Sequence, residues 1–276
     1  MTQLIKLKKY FNQGKLNNLS GKEWIKFTKS WFILKSLPQY EKVYHPASFP
    51  EKFISRFLSF FTKPDDWVFD PFAGSGTTLV VSKRMGRNSV GIELYEKYVD
   101  LIKQRLINEC ESKHVNSVII RGDSRNVMDI IKNLDIPSMD FCITSPPYWN
   151  QLLKNTERHI QRSIDNLDCY YGDNFLDLGT INDYHVFLEQ QKYIFEDIFE
   201  VMRNKSYLVV VTNNVYKEGR LWPLAFDTFR TLSEKWVPKD EMIWCQDDKK
   251  LYPFGMFSSY IGNRSHHYCL IFRKEL

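Results

Sequence analysis

An alternation of short apolar segments with longer amphipathic ones, between residues 67 and 144, most constrains the fold of this chain. The pattern predicts strands at Trp67–Asp70, Ser89–Glu93, Ser117–Arg121 and Met139–Thr144, separated by helices at Thr77–Met85, Tyr95–Ser112 and Asn126–Leu134. Such alternation is typical of βαβ units, whose right-handed crossovers join parallel neighbouring strands. We therefore expect an α/β, Rossmann-like sheet that binds its ligand at the carboxyl edge of its strands.

The pattern resumes after an aperiodic segment, 149–179. Three further strands and two helices are predicted: a helix over about 182–202 introduced by the capping pattern Thr180…Asp183, a strand at Tyr207–Thr212, a helix at Leu224–Lys235, and strands at Glu241–Cys245 and Tyr268–Arg273. Because nothing helical separates the last two strands, we expect them to pair antiparallel. The whole sheet is then seven-stranded and mostly parallel, with a C-terminal antiparallel hairpin and helices on both faces.

Two helices are expected before the alternating part. The first runs from Gly21 to about Leu37, with a capping box formed by Ser20 and Glu23, and the second begins near Pro50. We expect a single domain over 1–276, made of an N-terminal helical segment, a cofactor and catalytic half, a recognition loop and a C-terminal half, at 1–64, 65–148, 149–180 and 181–276.

Composition adds modest constraints. The chain of 276 residues is 43% hydrophobic and 15% aromatic, with a net charge of +5. A mild basic excess fits a polyanionic partner, although many soluble proteins share it. The five cysteines show no CxxC or zinc-ligand spacing, so we expect reduced thiols and no metal site. We expect neither a signal peptide nor a membrane span, and a cytoplasmic location.

A glycine-containing turn links the first strand of the alternating part to the next helix. It consists of Asp70, Pro71, Phe72, Ala73, Gly74, Ser75, Gly76 and Thr77. Small residues there let the backbone approach a ligand, and N–H groups at a helix start point toward it. A bare GxG would fit a tight turn equally well, and the preceding Asp-Pro-Phe makes the string more specific. Neither the P-loop nor the GxGxxG spacing is present.

Acidic residues end two further strands. Glu93 follows Asp70 by 93 − 70 = 23 residues, at the end of the second strand, where it could bind ribose hydroxyls. Asp123 follows the third strand, where an adenine ring could lie. Each acid alone is more often a solvated strand-end residue, but successive strand ends share one sheet edge. The residues beside them, which we also expect to line the cofactor site, are Leu94, Gly122 and Ser124.

The fourth strand leads directly into Ser145, Pro146, Pro147 and Tyr148. Two prolines stiffen the backbone and remove N–H groups, so carbonyls can point into a site. Ser145 Oγ and the Pro146 carbonyl could accept hydrogen bonds from an exocyclic amino group, while Tyr148 could stack on an extruded base. A Pro-Pro turn after a strand is the alternative. No cysteine follows Pro146, which argues against a thiolate route to carbon methylation.

Together these motifs resemble the bacterial and archaeal DNA amino-methyltransferases of restriction–modification systems. The resemblance implies S-adenosylmethionine as the cofactor, and the segment His45–Pro50 is similar to the family motif near the methionine end, with His45 and Phe49 at the cofactor. Segments Gly219–Leu224 and Ser265–Lys274 are also similar to family segments. The cofactor motif precedes the catalytic one, the reverse of many members with this tetrapeptide, so the chain resembles a circularly permuted member.

Serine as the first catalytic residue favours N4 of cytosine, with N6 of adenine as the alternative. The resemblance implies duplex DNA as the partner, a cognate restriction endonuclease as a second partner, and a monomer or homodimer associated with the nucleoid. We expect DNA contacts from segments 149–179 and 247–266, at Trp149, Lys154, Arg158, Arg162, Lys249 and Lys250. A solvated charged surface is the other interpretation of these cations. An RNA or protein-glutamine amino-methyltransferase, and a DNA-binding paralogue without catalysis, are the other functional interpretations.

Overall fold

A computed structural model describes residues 15–35, 48–111, 114–151 and 174–276. Its main sheet has eight strands in the order β1-β9-β10-β6-β5-β2-β3-β4. The strands are β1 Trp31–Ile33, β2 Trp67–Asp70, β3 Asn88–Glu93, β4 Ser117–Arg121, β5 Met139–Thr144, β6 Met202–Thr212, β9 Val237–Cys245 and β10 His266–Arg273. A separate hairpin joins β7 Val215–Lys217 to β8 Arg220–Trp222. The α-helices are α1 Gly21–Phe27, α2 Glu51–Phe61, α3 Thr77–Arg84, α4 Glu96–Asn108, α5 Val127–Lys132, α6 Tyr184–Val201 and α7 Leu224–Leu232.

The central strands run parallel and share one carboxyl edge. Strands β4, β3, β2, β5 and β6 pair parallel in that order. Strand β10 pairs antiparallel with both β6 and β9, which confirms the C-terminal antiparallel hairpin. Because β10 is reversed, its first residues lie at the same edge as the last residues of β6 and β9. The carboxyl edge therefore holds the last residues of β4, β3, β2, β5, β6 and β9 and the first residues of β10.

Helices cover both faces of the sheet, as the sequence predicts. Along β5, Phe141 and Ile143 point into the core beneath α1 and α2, while Cys142 between them points into the core beneath α5 and α6. This period of two lets each buried strand supply side chains to both layers. The apolar residues of α2, from Phe53 to Phe61, fill the first of these layers almost completely. The central strands are thereby shielded from water on both faces.

The predicted first helix is too long, and the predicted strand count is one too low. Helix α1 ends at Phe27, and Trp31–Ile33 pair parallel with Ile243–Cys245 as an edge strand. The spacing of Trp24, Phe27 and Trp31 also fits a helical stripe, so periodicity alone favoured the helix. The main sheet consequently has eight strands where seven were expected.

Smaller corrections concern helix starts. The long helix α6 is capped by Asp183, whose carboxylate accepts hydrogen bonds from the N–H groups of His185 and Val186, so Thr180 is not its cap. Pro50 is the N-cap of α2, and the Ser20–Glu23 capping box is present as predicted. The strand bounds Trp67–Asp70, Ser117–Arg121 and Met139–Thr144 are confirmed to the residue.

None of the helices in the described ranges is both long and apolar enough to cross a membrane. Within those same ranges, no group of three or more His, Cys, Asp or Glu side chains could hold a metal ion.

Candidate active site

The predicted site residues that the structure describes gather at the carboxyl edge. Asp70 ends β2, Glu93 ends β3, and Ser145 follows β5 directly. Neighbouring strands β3, β2 and β5 lie side by side, so these three positions are adjacent along the edge. Parallel strands thus bring together residues that lie up to 75 positions apart in the chain (145 − 70 = 75).

The glycine-containing turn is held in one conformation. Gly74 and Gly76 adopt φ values of 54° and 77°, which favour glycine. A Cβ on Gly76 would lie 2.5 Å from Ile102 Cγ1, so a side chain there would also collide with α4. The Ala73 N–H donates to the Ile92 carbonyl (3.0 Å), and Ser124 Oγ donates to the Pro71 carbonyl. The turn is therefore tied to β3 and to the segment after β4.

Asp70 acts as a buried link within this turn. Its Oδ2 accepts a hydrogen bond from Thr78 Oγ1 (2.6 Å), and its Oδ1 accepts one from Thr144 Oγ1 (2.7 Å) and one from the Phe72 N–H (3.1 Å). Burial raises the pKa of Asp70 to about 6, against the effect of these three donors. The carboxylate thereby joins the turn and the start of α3 to the last residue of β5.

Glu93 is the second buried carboxylate of the edge. Its Oε2 accepts from the Gly74 N–H (2.8 Å) and its Oε1 from the Tyr95 N–H (3.0 Å). Burial raises its pKa to about 7; the two N–H donors oppose the shift, and the nearby negative charges of Asp177 and Asp70 add to it. Each carboxylate oxygen keeps a further lone pair, so Glu93 can still accept hydrogen bonds from ligand hydroxyls.

Asp123 is already paired. Its carboxylate accepts the Arg125 N–H (3.0 Å) and forms a salt bridge with the Arg125 guanidinium (2.6 Å), which also donates to the Leu176 carbonyl (2.8 Å). Arg125 thus connects the end of β4 to the segment that precedes α6. A ligand amine at Asp123 would share this carboxylate with the guanidinium.

Asp177 belongs to the same edge, although no sequence motif points to it. Its Oδ2 accepts a hydrogen bond from the Tyr95 hydroxyl (2.8 Å), and its Oδ1 accepts one from the Gly179 N–H (2.7 Å). Burial raises its pKa. Its position in an aperiodic segment carries no strand-end signal, and only the folded chain brings it near Glu93.

The Ser145 hydroxyl is oriented by the backbone of β6. Ser145 Oγ lies 3.1 Å from the Val211 carbonyl oxygen and 3.1 Å from Tyr148 Oη, and it donates its one hydrogen to one of these two acceptors. The lone pairs of Oγ then remain available to accept a hydrogen bond from a ligand. Pro146 is buried, while Ser145 and Pro147 are partly exposed. The arrangement suits a hydrogen-bond acceptor rather than a nucleophile.

His267, to which no sequence motif pointed as a site residue, contacts the last residue of the tetrapeptide. Tyr148 Oη lies 3.1 Å from Ser145 Oγ and 3.3 Å from His267 Nδ1, and His267 Nε2 lies 3.0 Å from Gln246 Oε1. Burial, followed by the positive charges of Lys249 and His266, lowers the pKa of His267 to about 3, so its imidazole is neutral. With Nε2 donating to Gln246, Nδ1 accepts from the tyrosine hydroxyl.

An aromatic row extends from this histidine to the segment before α2. The His267 ring stacks on Trp244 (centroids 5.0 Å apart), and Trp244 contacts Phe49, which stacks on Phe53. Ser48 Oγ lies 2.9 Å from Ser75 Oγ, so the segment also touches the glycine-containing turn. Phe49 is therefore packed beside the site, whereas its predicted contact with the cofactor stays a prediction.

Trp149 does not lie where a DNA contact requires it. Its side chain is only 4% exposed, its Nε1 donates to the Asn182 carbonyl (3.2 Å), and its ring packs against Tyr184 and Trp222. Lys217 Nζ sits 4.2 Å above the ring. The prediction of Trp149 as a DNA contact is therefore wrong, because the indole is part of the core.

The remaining predicted contacts divide into two groups. Lys249 is half-buried and Lys250 is exposed, both in the loop between β9 and β10. His45, Lys154, Arg158 and Arg162 lie outside the described residues, so their roles stay predictions.

Sequence comparison finds a partial similarity to DNA methylases. Residues 3–104 match a family model for N6/N4 DNA methylases. The Type II methyltransferase M2.DpnII of Streptococcus pneumoniae is 33% identical over 107 residues, which cover 39% of this chain and 40% of the relative. M2.LlaDCHI of Lactococcus lactis subsp. cremoris is 45% identical over 62 residues, which cover 22% of this chain and 23% of the relative. The matches thus span less than half the length of these relatives.

Solved structures share the fold. The structure of NSun6 from Pyrococcus horikoshii with SFG has a TM-score of 0.51 and 15% identity, covering 87% of this chain and 56% of that one. The eight-stranded sheet with helices on both faces is the fold that this chain shares with that structure. Over part of its length, the sequence is similar to N6/N4 DNA methylases and to Type II methyltransferases.

The residues at the edge fit S-adenosylmethionine. Glu93 offers lone pairs for ribose hydroxyls, Asp123 offers an acceptor for an adenine amine, and the α3 N-terminus lies beside Gly74 and Gly76. Leu94 and Phe72 are partly exposed apolar neighbours that suit the adenosine rings. Asp70 is buried and already accepts three hydrogen bonds from the chain, so its role is to hold the turn in place.

Proposed function

We propose that this chain transfers a methyl group from S-adenosylmethionine to an exocyclic amino group of a base in duplex DNA. One observation carries the proposal: Asp70 of the cofactor turn and Thr144, the residue before Ser145, are joined by a hydrogen bond of 2.7 Å between their side chains. The site for a methyl donor and the site for an amine are thereby coupled at one sheet edge. Sequence relatives that are Type II methyltransferases support DNA as the substrate.

The proposed methyl transfer requires few catalytic groups from the protein. Bound S-adenosylmethionine supplies an electrophilic methyl group, so the chain has to orient the amine and stabilise the charge that develops on it. An exocyclic nitrogen is a poor nucleophile because its lone pair is delocalised into the ring. Ser145 Oγ and the Pro146 carbonyl would accept its N–H groups, turn its lone pair toward the donor, and stabilise the positive charge.

Tyr148 would bind the extruded base against its ring, since a base within a duplex cannot reach the turn. The hydroxyl of Tyr148 is held between Ser145 and His267, so the ring has a defined direction. Because His267 is neutral, it adds no positive charge beside Tyr148. The sulfur–methyl bond would break as the nitrogen–methyl bond forms, S-adenosylhomocysteine would leave, and the nitrogen would lose one proton to water, with no covalent enzyme intermediate.

Within this reaction class, we favour N4 of cytosine over N6 of adenine. Ser145 rather than an acidic or amide residue stands first in the tetrapeptide, and in the family that the chain resembles a serine there favours cytosine. A cognate endonuclease is part of the proposal because the sequence relatives are Type II methyltransferases. The alternative product is N6-methyladenine.

Incubation with S-adenosylmethionine and unmethylated genomic DNA, followed by digestion to nucleosides and mass spectrometry, tests the proposal. N4-methylcytosine is the expected product. N6-methyladenine would retain the reaction class and overturn the choice of base. If transfer RNA or a protein substrate became methylated and duplex DNA did not, the proposed substrate would be wrong.

A further inference from the structure

The connection between β9 and β10, residues 246–265, forms a loop at the carboxyl edge, and we call its apolar part, Leu251–Tyr260, the aromatic loop. The sheet register pairs Cys245 with His266 and Tyr268 with Thr212, so the loop leaves and re-enters the sheet beside the end of β6. Gln246, the first residue of the loop, is hydrogen-bonded to His267, the second residue of β10, and His267 contacts Tyr148. The aromatic loop is thus continuous with the candidate active site.

The aromatic loop is unusually apolar for an exposed segment. Phe257 is 100% exposed and Tyr260 is 95% exposed. The other exposed large apolar side chains of this segment are Leu251, Tyr252, Phe254 and Met256. Single exposed apolar residues are common on soluble proteins, but a contiguous group of this kind marks an interaction surface.

Hydrogen bonds hold this loop in a defined shape. The Asn263 side chain clamps Tyr252, accepting its N–H (2.9 Å) and donating to its carbonyl (2.8 Å). The Ser258 and Ser259 N–H groups donate to the Gly255 carbonyl at 3.0 and 2.8 Å, which closes a tight turn. A Cβ on Gly255, whose φ is 64°, would lie 2.3 Å from the Ser259 carbonyl oxygen. The clamp and the turn present the ring of Phe257 outward.

Phe257 itself has a strained backbone, with φ of 67°. Positive φ is costly for a bulky residue, and such strain clusters at functional sites. Nothing in the core gains from it, since the ring is fully exposed. A partner that binds the outward-facing ring would account for this conformation.

Charge indicates what covers this surface. Lys249, Lys250 and Arg264 flank the aromatic loop on both sides, together with Asp247 and Asp248, and the whole chain carries a net charge of +5. The Lys250 ammonium lies 5.4 Å from the Tyr252 ring. Aromatic side chains flanked by basic ones suit a nucleic acid, because rings stack on bases while cations meet phosphates. An apolar wedge of this kind can also enter a duplex and unstack a base step.

We propose that the aromatic loop contacts the bases of duplex DNA beside the extruded nucleotide, with Phe257 and Tyr260 stacking on or between them. The proposal rests on the proposed function, since it assigns the binding of that same DNA substrate. A wedge next to the active site would hold open the gap that an extruded base leaves. It also supplies the base contact that the buried Trp149 does not.

Photo-crosslinking on the full chain tests the contact directly. Benzoylphenylalanine replaces Phe257 in one variant and Ile107 in a control; Ile107 is 76% exposed and lies near the C-terminal end of α4, away from the carboxyl edge. With labelled duplex DNA, we expect a protein–DNA adduct from position 257 and none from position 107. A covalent protein dimer instead of a DNA adduct would assign this surface to a second copy of the chain and overturn the proposal.

Measuring the affinity for duplex DNA provides a second, independent test. Phe257→Ala combined with Tyr260→Ala should raise the Kd for duplex DNA by about tenfold or more, while Ile107→Ala leaves it unchanged. The affinity for S-adenosylmethionine and the Tm should not change, since both rings are exposed. A double variant that binds and methylates DNA like the wild type would refute the aromatic loop as a DNA contact.

The two proposals fail in different ways. Methyl transfer to DNA without an adduct at position 257 overturns this inference and leaves the proposed function standing. An adduct with duplex DNA and no methyl transfer to any base overturns the proposed function alone. Absence of both the adduct and the methyl transfer overturns both proposals.

Discussion

Thr144 Oγ1 donates a hydrogen bond of 2.7 Å to Asp70 Oδ1, and this contact joins two motifs that lie 74 residues apart in the sequence (144 − 70 = 74). Both side chains are buried. Since Asp70 also accepts from Thr78 and from the Phe72 N–H, a displacement of the turn would be transmitted to the residue before Ser145. One carboxylate thereby connects the proposed methyl-donor site to the proposed amine site.

Replacement of Thr144 tests this coupling. Thr144→Val preserves the shape but removes a donor to a buried carboxylate, so we expect a loss of about 1–3 kcal/mol in the free energy of unfolding and weaker binding of S-adenosylmethionine. Urea unfolding and calorimetric titration measure the two effects. Thr228→Val is the control, since Thr228 is equally buried but donates to the neutral Gln191. Equal cofactor affinity in both variants would contradict the coupling.

Ser145 is expected to act in turnover and not in cofactor binding. Ser145→Ala removes the Oγ acceptor while the Asp70–Thr144 link and Glu93 remain, so turnover should fall at least about a hundredfold with the Kd for S-adenosylmethionine unchanged. Single-turnover transfer of labelled methyl groups and calorimetric titration measure these quantities. A large loss of cofactor affinity in this variant would count against a role confined to the amine.

Glu93 makes cofactor binding depend on pH. Its pKa is raised from 4.5 to about 7 in the folded protein, chiefly by burial, and ligand hydroxyls favour the charged form. The affinity for S-adenosylmethionine should therefore fall about tenfold from pH 8 to pH 6. Glu93→Gln should bind weakly at both pH values, with little difference between them. An unchanged wild-type affinity over this range would contradict the assignment of Glu93.

The same group has the opposite effect on the ligand-free protein. Because its folded pKa lies above its unfolded value, the Glu93 contribution to the free energy of unfolding is fully present below about pH 4.5 and is lost as pH rises through about 7. The difference in stability between wild type and Glu93→Gln isolates this contribution from that of other groups.

His267 is expected to position Tyr148 as a neutral ring. His267→Phe keeps an aromatic ring against Trp244 but removes the Nδ1 acceptor, so kcat should fall about tenfold to a hundredfold with the Kd for S-adenosylmethionine unchanged. Since the pKa of His267 is lowered to about 3, the imidazole does not titrate near pH 6.5. The pH–rate profiles of the wild type and of His267→Phe should therefore have the same shape around that pH. An inflection near pH 6.5 that is present in the wild type and absent from the variant would contradict the neutral imidazole.

Two glycines with similar φ values allow the cost of backbone strain to be measured separately from the cost of a side-chain collision. Gly76 and Gly86 have φ of 77° and 74°, but a Cβ would meet Ile102 at 2.5 Å in the first and nothing within 4 Å in the second. Gly86→Ala should cost about 1–2 kcal/mol of stability. Gly76→Ala should cost about 1–3 kcal/mol more, and it should weaken S-adenosylmethionine binding. Equal losses in the two variants would show that Ile102 yields without cost.

Local signals in the sequence were sufficient for the parallel half of the sheet. Buried strands such as Met139–Thr144 are short apolar runs bounded by turn residues, and their helices repeat with helical period, so their bounds could be predicted closely. The edge strand Trp31–Ile33 could not be predicted, because it exists only through pairing with β9 and its residues also fit a helical stripe. Tertiary pairing decided between two patterns that the sequence allowed.

For the site, residues that end strands were predictable and residues that depend on the register were not. Asp70, Glu93 and Ser145 follow apolar runs directly, and shared strand direction brings them together. His267 reaches Tyr148 only because β10 runs antiparallel beside β6, and Asp177 comes from a segment without periodicity. Trp149 was misassigned because an indole in an aperiodic segment suits base stacking and core packing equally well, and the folded chain buries it.

The central claim is that Ser145 orients a DNA amine beside the Asp70–Thr144 link, and transfer of labelled methyl groups from S-adenosylmethionine to duplex DNA tests it most directly. The wild-type chain, Ser145→Ala and the control Ile107→Ala should be compared at saturating cofactor. We predict acid-stable label in the DNA with the wild type and the control, and at least about a hundredfold less with Ser145→Ala. Equal labelling by Ser145→Ala, or no labelling of DNA by a wild-type chain that binds S-adenosylmethionine, would contradict the claim.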